Sequence, residues 1–301
     1  SKNAVLPIMA AAILTEEKCQ IMDAPVLRDV DVMCRLLGSI GSEVKAKYEE
    51  NAIEIETTNI IANEAPYELV KKMRASILVM GPLLARTGKA KIALPGGCAI
   101  GARPINLHLK GFQALGAEIT EGHGYVEAKA DKLAGANVYL DFPSVGATEN
   151  ILLASVTAQG TTSILNAARE PEITDLCNYL NRCGARISGA GDSAITVEGV
   201  DALFGCSHSV IPDRIETVTY MAAAAITGGR LTLKSVYPEH IATILPVFEE
   251  AGCAVTTGAG ELSITAPPRL QRIRSIRTMP YPGFPTDAQA PTMAMVSVAD
   301  G

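Results

Sequence analysis

The sequence predicts an α/β protein in which one structural unit of roughly 70 residues recurs along the chain. Three independent markers keep this period. Glycines at the change from helix to strand stand at Gly41, Gly116, Gly184 and Gly252. Prolines ahead of the preceding helix stand at Pro25, Pro104, Pro171 and Pro238. Alanine-rich apolar helices that end in glycine cover 84–88, 152–160, 221–229 and 293–301. Internal duplication explains all three.

Each unit has the predicted order helix, strand, helix, strand, strand, and the third unit illustrates it. Residues 149–158 are mostly apolar and predict a helix, and the β-branched run 161–165 predicts a strand. Residues 171–183 carry apolar side chains at helical spacing. Residues 186–188 and 194–198 flank a glycine-containing turn and predict a hairpin.

The first helix of each unit is too apolar for a surface helix. We therefore expect pseudo-symmetric domains with helices at the centre and sheets around them. The chain begins at Ser1 without an initiator methionine, and Gly301 falls where the apolar helix of a fifth unit would end. We expect this chain to be part of a longer protein.

Composition excludes several classes of protein. The net charge is -6, no basic tract is present, and only 4 % of residues are aromatic, all of which disfavour a nucleic-acid partner. No signal peptide is evident and no apolar run is long enough to span a membrane. Seven scattered cysteines form no CxxC pair, and the four histidines are dispersed. This pattern predicts a reducing cytoplasm and no metal site.

The glycine-rich segment 94–104 is the strongest functional motif. It places Cys98 in a loop, Arg103 five residues later, and Pro104 at a predicted first helical position. Helix amides together with an arginine favour an anion, and the same positive field would make the cysteine reactive. The alternative is an ordinary turn with a buried, inert cysteine.

Four other polar segments precede apolar helices at equivalent points of the repeat. They could converge on one cleft if two domains face each other. The alternative is that each only caps its helix, since Asp and Thr are good N-cap residues. The segments are 1–3, 71–77, 212–217 and 284–289.

Taken together, these motifs resemble those of the enolpyruvyl transferases over the whole chain. The matching segments are 2–3, 73–76, 95–104, 144–148, 168–172, 212–217 and 284–287. The resemblance implies inside-out α/β barrel domains built from repeated βαβαββ units. It also implies that 1–211 form one domain of three repeats and that 212–301 form an incomplete second domain.

The Gly-Gly-Cys loop resembles the branch of this family that acts on a nucleotide sugar. That branch transfers the enolpyruvyl group of phosphoenolpyruvate to the 3-hydroxyl of UDP-N-acetylglucosamine, the first committed step of peptidoglycan synthesis, without a cofactor. The branch that acts on 3-phosphoshikimate lacks this loop and carries a Gly-Asn-Ala-Gly-Thr segment that is absent here. A truncated or non-catalytic repeat scaffold of the same fold is the other alternative. The oligomeric state is left open.

The resemblance also implies the site residues. Lys2 and Arg103 would bind phosphoenolpyruvate, Asp287 would act on the sugar hydroxyl, and Cys98 would take part in proton transfer or product release. The epoxide antibiotic fosfomycin would alkylate Cys98. The residues implied to contact the nucleotide sugar are Asn3, Arg74, Arg103, Pro104, Ile105, Asn106, Leu107, Ser144, Val145, Gly146 and Asp287. Of these, Asn106 replaces the aspartate that is common in the family.

Overall fold

A computed structural model describes residues 1–94 and 104–300, which divide into two compact units. The larger unit is Lys2–Ile211, and the smaller consists of Ser1 with residues 212–300. Among the described residues, no helix combines the length and the apolar character needed to cross a membrane.

The larger unit contains seven α-helices and twelve strands among its described residues. Its helices are α1 (Lys2–Ala11), α2 (Arg28–Ile40), α3 (Tyr67–Val70), α4 (Met80–Thr87), α5 (Asn106–Ala114), α6 (Val145–Ser155) and α7 (Pro171–Arg182). Its strands are β1 (Cys19–Met22), β2 (Glu43–Lys47), β3 (Ala52–Glu56), β4 (Glu64–Ala65), β5 (Lys89–Ala93), β6 (Glu118–Gly122), β7 (Tyr125–Lys129), β8 (Asn137–Tyr139), β9 (Thr161–Leu165), β10 (Arg186–Ser188), β11 (Ala194–Glu198) and β12 (Ser207–Ser209).

These strands form three four-stranded sheets of the same topology. The strand orders are β12-β1-β3-β2, β4-β5-β7-β6 and β8-β9-β11-β10. In each sheet the first two strands are parallel and the other neighbours are antiparallel. The predicted repeat is therefore confirmed as three copies of one sheet. The first sheet takes its outer parallel strand, β12, from the far end of the unit.

The helices at the centre are buried on every side. All residues of α1 from Ala4 to Ala11 are buried, and so are all residues of α6 from Ala147 to Ser155. A helix that is apolar on all faces is stable in water only when other elements cover it. One continuous hydrophobic cluster runs through these helices and the inner faces of the sheets. The prediction of central helices within the sheets is confirmed for this unit.

Local elements agree with the sequence except at helix starts. The strand at 161–165 and the hairpin at 186–188 and 194–198 have their predicted bounds. All four marker glycines have positive φ, between 90° and 121°, which explains why glycine recurs there. However, α6 begins at Val145 rather than 149, because Ser144 caps it. Pro104 is not the first helical residue, since Ile105 has non-helical angles (φ -106°, ψ 9°) and α5 starts after it.

The smaller unit contains part of the same pattern. It holds α8 (Arg214–Ile226), β13 (Arg230–Lys234), α9 (Leu245–Glu250), β14 (Ala254–Gly258), β15 (Glu261–Thr265) and α10 (Gln289–Val296). Its three strands form an antiparallel sheet of order β13-β15-β14. The helices and this sheet bury a hydrophobic cluster of their own.

Candidate functional site

Asn150, on the buried helix α6, has hydrogen-bond partners on three other helices. Its Oδ1 accepts a hydrogen bond from the Gly81 backbone N–H at 2.8 Å, and its Nδ2 donates to the Ile77 carbonyl at 2.9 Å. The same Nδ2 lies 3.0 Å from Nδ1 of His108 on α5. Ile77 belongs to a 3₁₀ helix, Arg74–Val79. One amide thus holds α4, α5, α6 and this 3₁₀ helix together.

These contacts also determine the protonation state and the tautomer of His108. The Gly81 N–H can only donate, so the amide oxygen of Asn150 faces it and the NH₂ group faces the imidazole. Nδ1 of His108 therefore accepts, which leaves the ring neutral with its proton on Nε2. Burial, together with the positive charge of Arg74, lowers the pKa of His108 to about 4.

Arg74 and the start of α6 lie around this imidazole. Arg74 opens the 3₁₀ helix, is partly exposed, and is near enough to His108 to lower its pKa. Gly146, in the first turn of α6, is so close that a Cβ atom there would lie 3.3 Å from Cε1 of His108. The start of α5 is near this imidazole as well, because His108 is only two residues after Asn106, the first residue of the helix. The predicted residues 74, 105–107 and 144–146 are therefore brought together.

Two hydroxyl groups form hydrogen bonds that fix the N-terminus of α6. The Ser144 Oγ accepts from the Ala147 N–H at 3.4 Å. The Thr148 Oγ1 donates to the Ser144 carbonyl at 2.8 Å and accepts from the Ala168 N–H at 3.0 Å. Since helix N-termini favour negative charge, α5, α6 and Arg74 together suit an anionic ligand.

The predicted nucleotide-sugar residues differ in exposure. Pro104 and Asn106 are exposed, and Leu107, Ser144, Val145 and Gly146 are partly exposed. The side chain of Ile105 is 7 % exposed and packs in the core. Ile105 can therefore meet a ligand only through its backbone.

Lys2 and Asn3 are exposed residues in the first turn of α1. The Nζ of Lys2 lies 3.6 Å from Oδ2 of Asp29 on α2, and both side chains are more than one third exposed. Ion pairs of this kind contribute little to stability. Because α1 packs against the 3₁₀ helix that begins at Arg74, Lys2 and Arg74 start neighbouring elements.

Three predicted site residues are not among the described residues of the larger unit. Cys98 and Arg103 fall outside the described residues. Asp287 belongs to the smaller unit, where it is exposed in a 3₁₀ helix, Thr286–Ala288. In the described ranges, no three His, Cys, Asp or Glu side chains are grouped so that they could hold a metal ion.

The segment 212–217 of the smaller unit acts as a helix cap. Oδ1 of Asp213 accepts from the backbone N–H groups of Ile215 at 2.9 Å and Glu216 at 3.0 Å. The Ser1 hydroxyl donates to the other carboxylate oxygen at 3.1 Å. For Asp213, the capping alternative considered from the sequence is what the geometry shows.

Neither Asn150 nor His108 is among the site residues predicted from the sequence. One signal was available, because Asn150 is a polar residue within an apolar helical run. A buried amide must find partners, and its partners were not evident from the spacing of the chain.

Similarity to known proteins defines the class to which this chain belongs. The sequence pattern of the EPSP synthase family, 3-phosphoshikimate 1-carboxyvinyltransferase, matches residues 1–301. The chain belongs to this family of enolpyruvyl transferases. Its similar curated relatives are UDP-N-acetylglucosamine 1-carboxyvinyltransferase 1 of Caldanaerobacter subterraneus subsp. tengcongensis, 54 % identical, and UDP-N-acetylglucosamine 1-carboxyvinyltransferase 2 of Clostridium tetani, 52 % identical. Each match covers all of this chain and 72 % of the relative.

Solved structures show the same fold. The enolpyruvyl transferase NikO from Streptomyces tendae superposes with a TM-score of 0.88 at 21 % identity, covering 100 % of this chain and 71 % of that one. An EPSP synthase from Acinetobacter baumannii gives a TM-score of 0.70 at 19 % identity, covering 98 % and 69 %. The predicted enolpyruvyl transferase fold is thereby confirmed.

Proposed function

We propose that this protein transfers the enolpyruvyl group of phosphoenolpyruvate to the 3-hydroxyl of UDP-N-acetylglucosamine and releases phosphate. The observation that carries this proposal is the 54 % identity, over all 301 residues, to a relative named for that reaction. The family likeness to EPSP synthases is far more distant, at 19 % identity. The reaction would be the first committed step of peptidoglycan synthesis.

The nucleotide sugar would bind where Arg74 and the first turns of α5 and α6 meet. Its diphosphate carries negative charge, which suits the arginine and the free amides of these helix N-termini. Asn3, residues 103–107, Ser144, Val145, Gly146 and Asp287 would complete the contacts. The neutral His108 and Asn150 form the buried support beneath this subsite.

Phosphoenolpyruvate would bind through its carboxylate and phosphate to Lys2 and Arg103. Lysine supplies a point charge, whereas arginine offers a fork of donors. Protonation of C3 gives positive character at C2, which the sugar 3-hydroxyl attacks as Asp287 accepts its proton. Loss of phosphate together with a C3 proton then restores the double bond.

Cys98 would act in the transfer of the C3 proton or in product release. The same nucleophilic sulfur would open the epoxide of fosfomycin, forming a carbon–sulfur bond. We expect one covalent adduct on Cys98, formed faster when UDP-N-acetylglucosamine is present.

The arrangement of the chain is also part of the proposal. Residues 1–211 would form a complete inside-out domain, and 212–301 would form part of a second one. The six described cysteines are free thiols, which supports a reducing cytoplasm as the location.

The proposed reaction is tested by measuring phosphate release with each of two acceptors in turn. The full-length protein is incubated with phosphoenolpyruvate and either UDP-N-acetylglucosamine or shikimate 3-phosphate. We expect release only with the nucleotide sugar. Release only with shikimate 3-phosphate would assign the chain to the other branch, and no release with either would support the non-catalytic scaffold.

A pair of arginine variants tests the subsite. Arg74→Gln removes a charge from the proposed diphosphate contact, so the KM for UDP-N-acetylglucosamine should rise about 10- to 100-fold, as for one lost charged hydrogen bond. Arg35→Gln changes an exposed arginine on α2 and is the matched control. Equal KM values for both variants would remove Arg74 from the site.

A further inference from the structure

Three cysteines from distant parts of the larger unit lie together. Cys183 follows the last residue of α7, Cys206 precedes β12, and Cys19 is the first residue of β1. The sulfur atoms of Cys183 and Cys206 are 3.1 Å apart, and Cys19 is near enough to Cys183 for each thiol to shift the pKa of the other. The reaction described above uses none of these thiols.

Backbone hydrogen bonds hold the three segments in place. The Phe204 N–H donates to the Cys183 carbonyl at 2.8 Å, and the Gln20 N–H donates to the Cys206 carbonyl at 2.9 Å. A Cβ atom at Gly205 would lie 2.3 Å from a backbone oxygen, so the chain approaches its neighbour as closely as glycine permits. A disulfide has an S–S distance of about 2.05 Å, so closing it needs a movement of about 1 Å.

The two sulfur atoms differ in access and in acidity. Cys206 is half-buried, whereas Cys183 and Cys19 are buried. Contact with the Cys183 sulfur lowers the pKa of Cys206, and the nearby guanidinium of Arg182 lowers it further. Contacts with Cys19 and Cys206 raise the pKa of Cys183, and the contact with Cys183 lowers the pKa of the buried Cys19 to about 6. Cys206 is the least buried of the three thiols, so an oxidant reaches it first, with the Cys183 thiol in contact behind it.

We propose that Cys183 and Cys206 are a redox-sensitive pair, which a peroxide converts into a reversible disulfide. The Cys206 thiolate attacks one oxygen of hydrogen peroxide, the O–O bond breaks, hydroxide leaves, and a sulfenic acid forms. The Cys183 sulfur then attacks the Cys206 sulfur, the S–O bond breaks, and water leaves with the Cys183 proton. Two thiols and one hydrogen peroxide become one disulfide and two waters, with two electrons passing from sulfur to oxygen.

The disulfide would tie the C-terminus of α7 to the strand β12 that completes the first sheet. A cross-link over 23 positions restricts the unfolded chain, so it should stabilise the fold. From the usual size of that effect we expect the midpoint of thermal unfolding to rise by roughly 5 to 10 °C, and a thiol reductant to reverse the rise.

Peptide mapping of the oxidised full-length protein tests the pairing without any variant. The protein is treated with hydrogen peroxide, its remaining thiols are alkylated, and it is digested with trypsin. The three cysteines fall in separate peptides, 19–28, 183–186 and 187–214. We expect 183–186 linked to 187–214, two mass units below the sum of the free peptides. A link that contains 19–28, or free thiols at both 183 and 206, would overturn the proposal.

Serine variants supply the controls. Cys206→Ser should lose both the linked peptide and the rise in unfolding temperature. Cys34→Ser is the matched control, because Cys34 is also half-buried but burial raises its pKa to about 11. This variant should keep the disulfide and the full thermal shift. A thermal shift that survives in Cys206→Ser would show that the pair does not cause it.

Discussion

Nδ2 of Asn150 lies 3.0 Å from Nδ1 of His108, and this contact joins α5 and α6, the two helices that begin at the proposed nucleotide-sugar residues 105–107 and 144–146. The amide makes two further hydrogen bonds, to Gly81 and Ile77, so all its polar atoms have partners. A fully satisfied buried polar group fixes one arrangement of its neighbours. The geometry of the subsite therefore depends on residues that lie beneath it.

Asn150→Ala tests this support. The substitution leaves the Gly81 N–H and the Ile77 carbonyl buried without these partners. Since each orphaned group costs about 1 to 3 kcal/mol, the free energy of unfolding should fall by about 2 to 5 kcal/mol in urea denaturation. Asn137→Ala, at an exposed position on β8, should change it by less than about 0.5 kcal/mol. Equal effects of the two variants would contradict the role of Asn150.

His108 should make the free energy of unfolding decrease at acidic pH. Its pKa is about 4 in the folded protein and near 6.5 when unfolded, so the unfolded chain binds the proton more tightly. Stability is therefore complete above pH 6.5 and is lost as the pH falls towards 4, by about 3 kcal/mol for this one group. His108→Gln should lack that part of the loss in urea titrations at pH 7 and pH 4. His123→Asn, at an exposed position, should keep the wild-type dependence.

Glu149 should act in the opposite direction. Complete burial raises its pKa well above the ordinary value, and Glu172 and Glu170 raise it further. The unfolded carboxyl ionises above pH 4.5 while the folded one keeps its proton, so stability is lost as the pH rises, by at most about 1.4 kcal/mol per unit. The stabilising effect of Glu149→Gln should therefore be larger at pH 8 than at pH 5. Glu121→Gln, exposed on β6, should show no such trend; the same trend there would refute the assignment.

Arg86, in the last turn of α4, holds separate backbone segments of the larger unit. Its guanidinium donates to the carbonyls of Ile13 at 2.8 Å, Thr57 at 2.5 Å and Thr58 at 3.1 Å. Lysine cannot reproduce this planar fork, so Arg86→Lys should lose about 1 to 3 kcal/mol of unfolding free energy. Arg35→Lys, at an exposed site, is the control for thermal or urea unfolding. Full stability in Arg86→Lys would show that these hydrogen bonds contribute nothing.

The repeat could be predicted because its markers have local causes. Gly41, Gly116, Gly184 and Gly252 recur since each turn needs a positive φ, and residues 161–165 alternate as a strand must. The start of α5 could not be predicted from Pro104, because the angles of Ile105 delay the helix.

Contacts between distant parts of the chain could not be predicted from the sequence, for a different reason. The pairing of β12 with β1 joins strands of three and four residues, too short to show where they pair. Asn150 could be noticed as a polar residue in an apolar helix, but nothing local identifies His108 as its partner. The proximity of Cys183 to Cys206 likewise arises only when α7 packs beside β12.

The position of β12 in the chain determines when the first sheet of the larger unit can fold completely. Gly205, just before that strand, donates a hydrogen bond to Glu17 across 188 positions of chain. A ribosome releases β1 long before β12 exists, so the first sheet must wait for almost the whole unit to be synthesised. Closing such a long loop costs entropy before any contact repays it, and folds rich in distant pairings form slowly. The sheet that contains β1 is therefore the last of the three sheets of the larger unit to have all its strands synthesised.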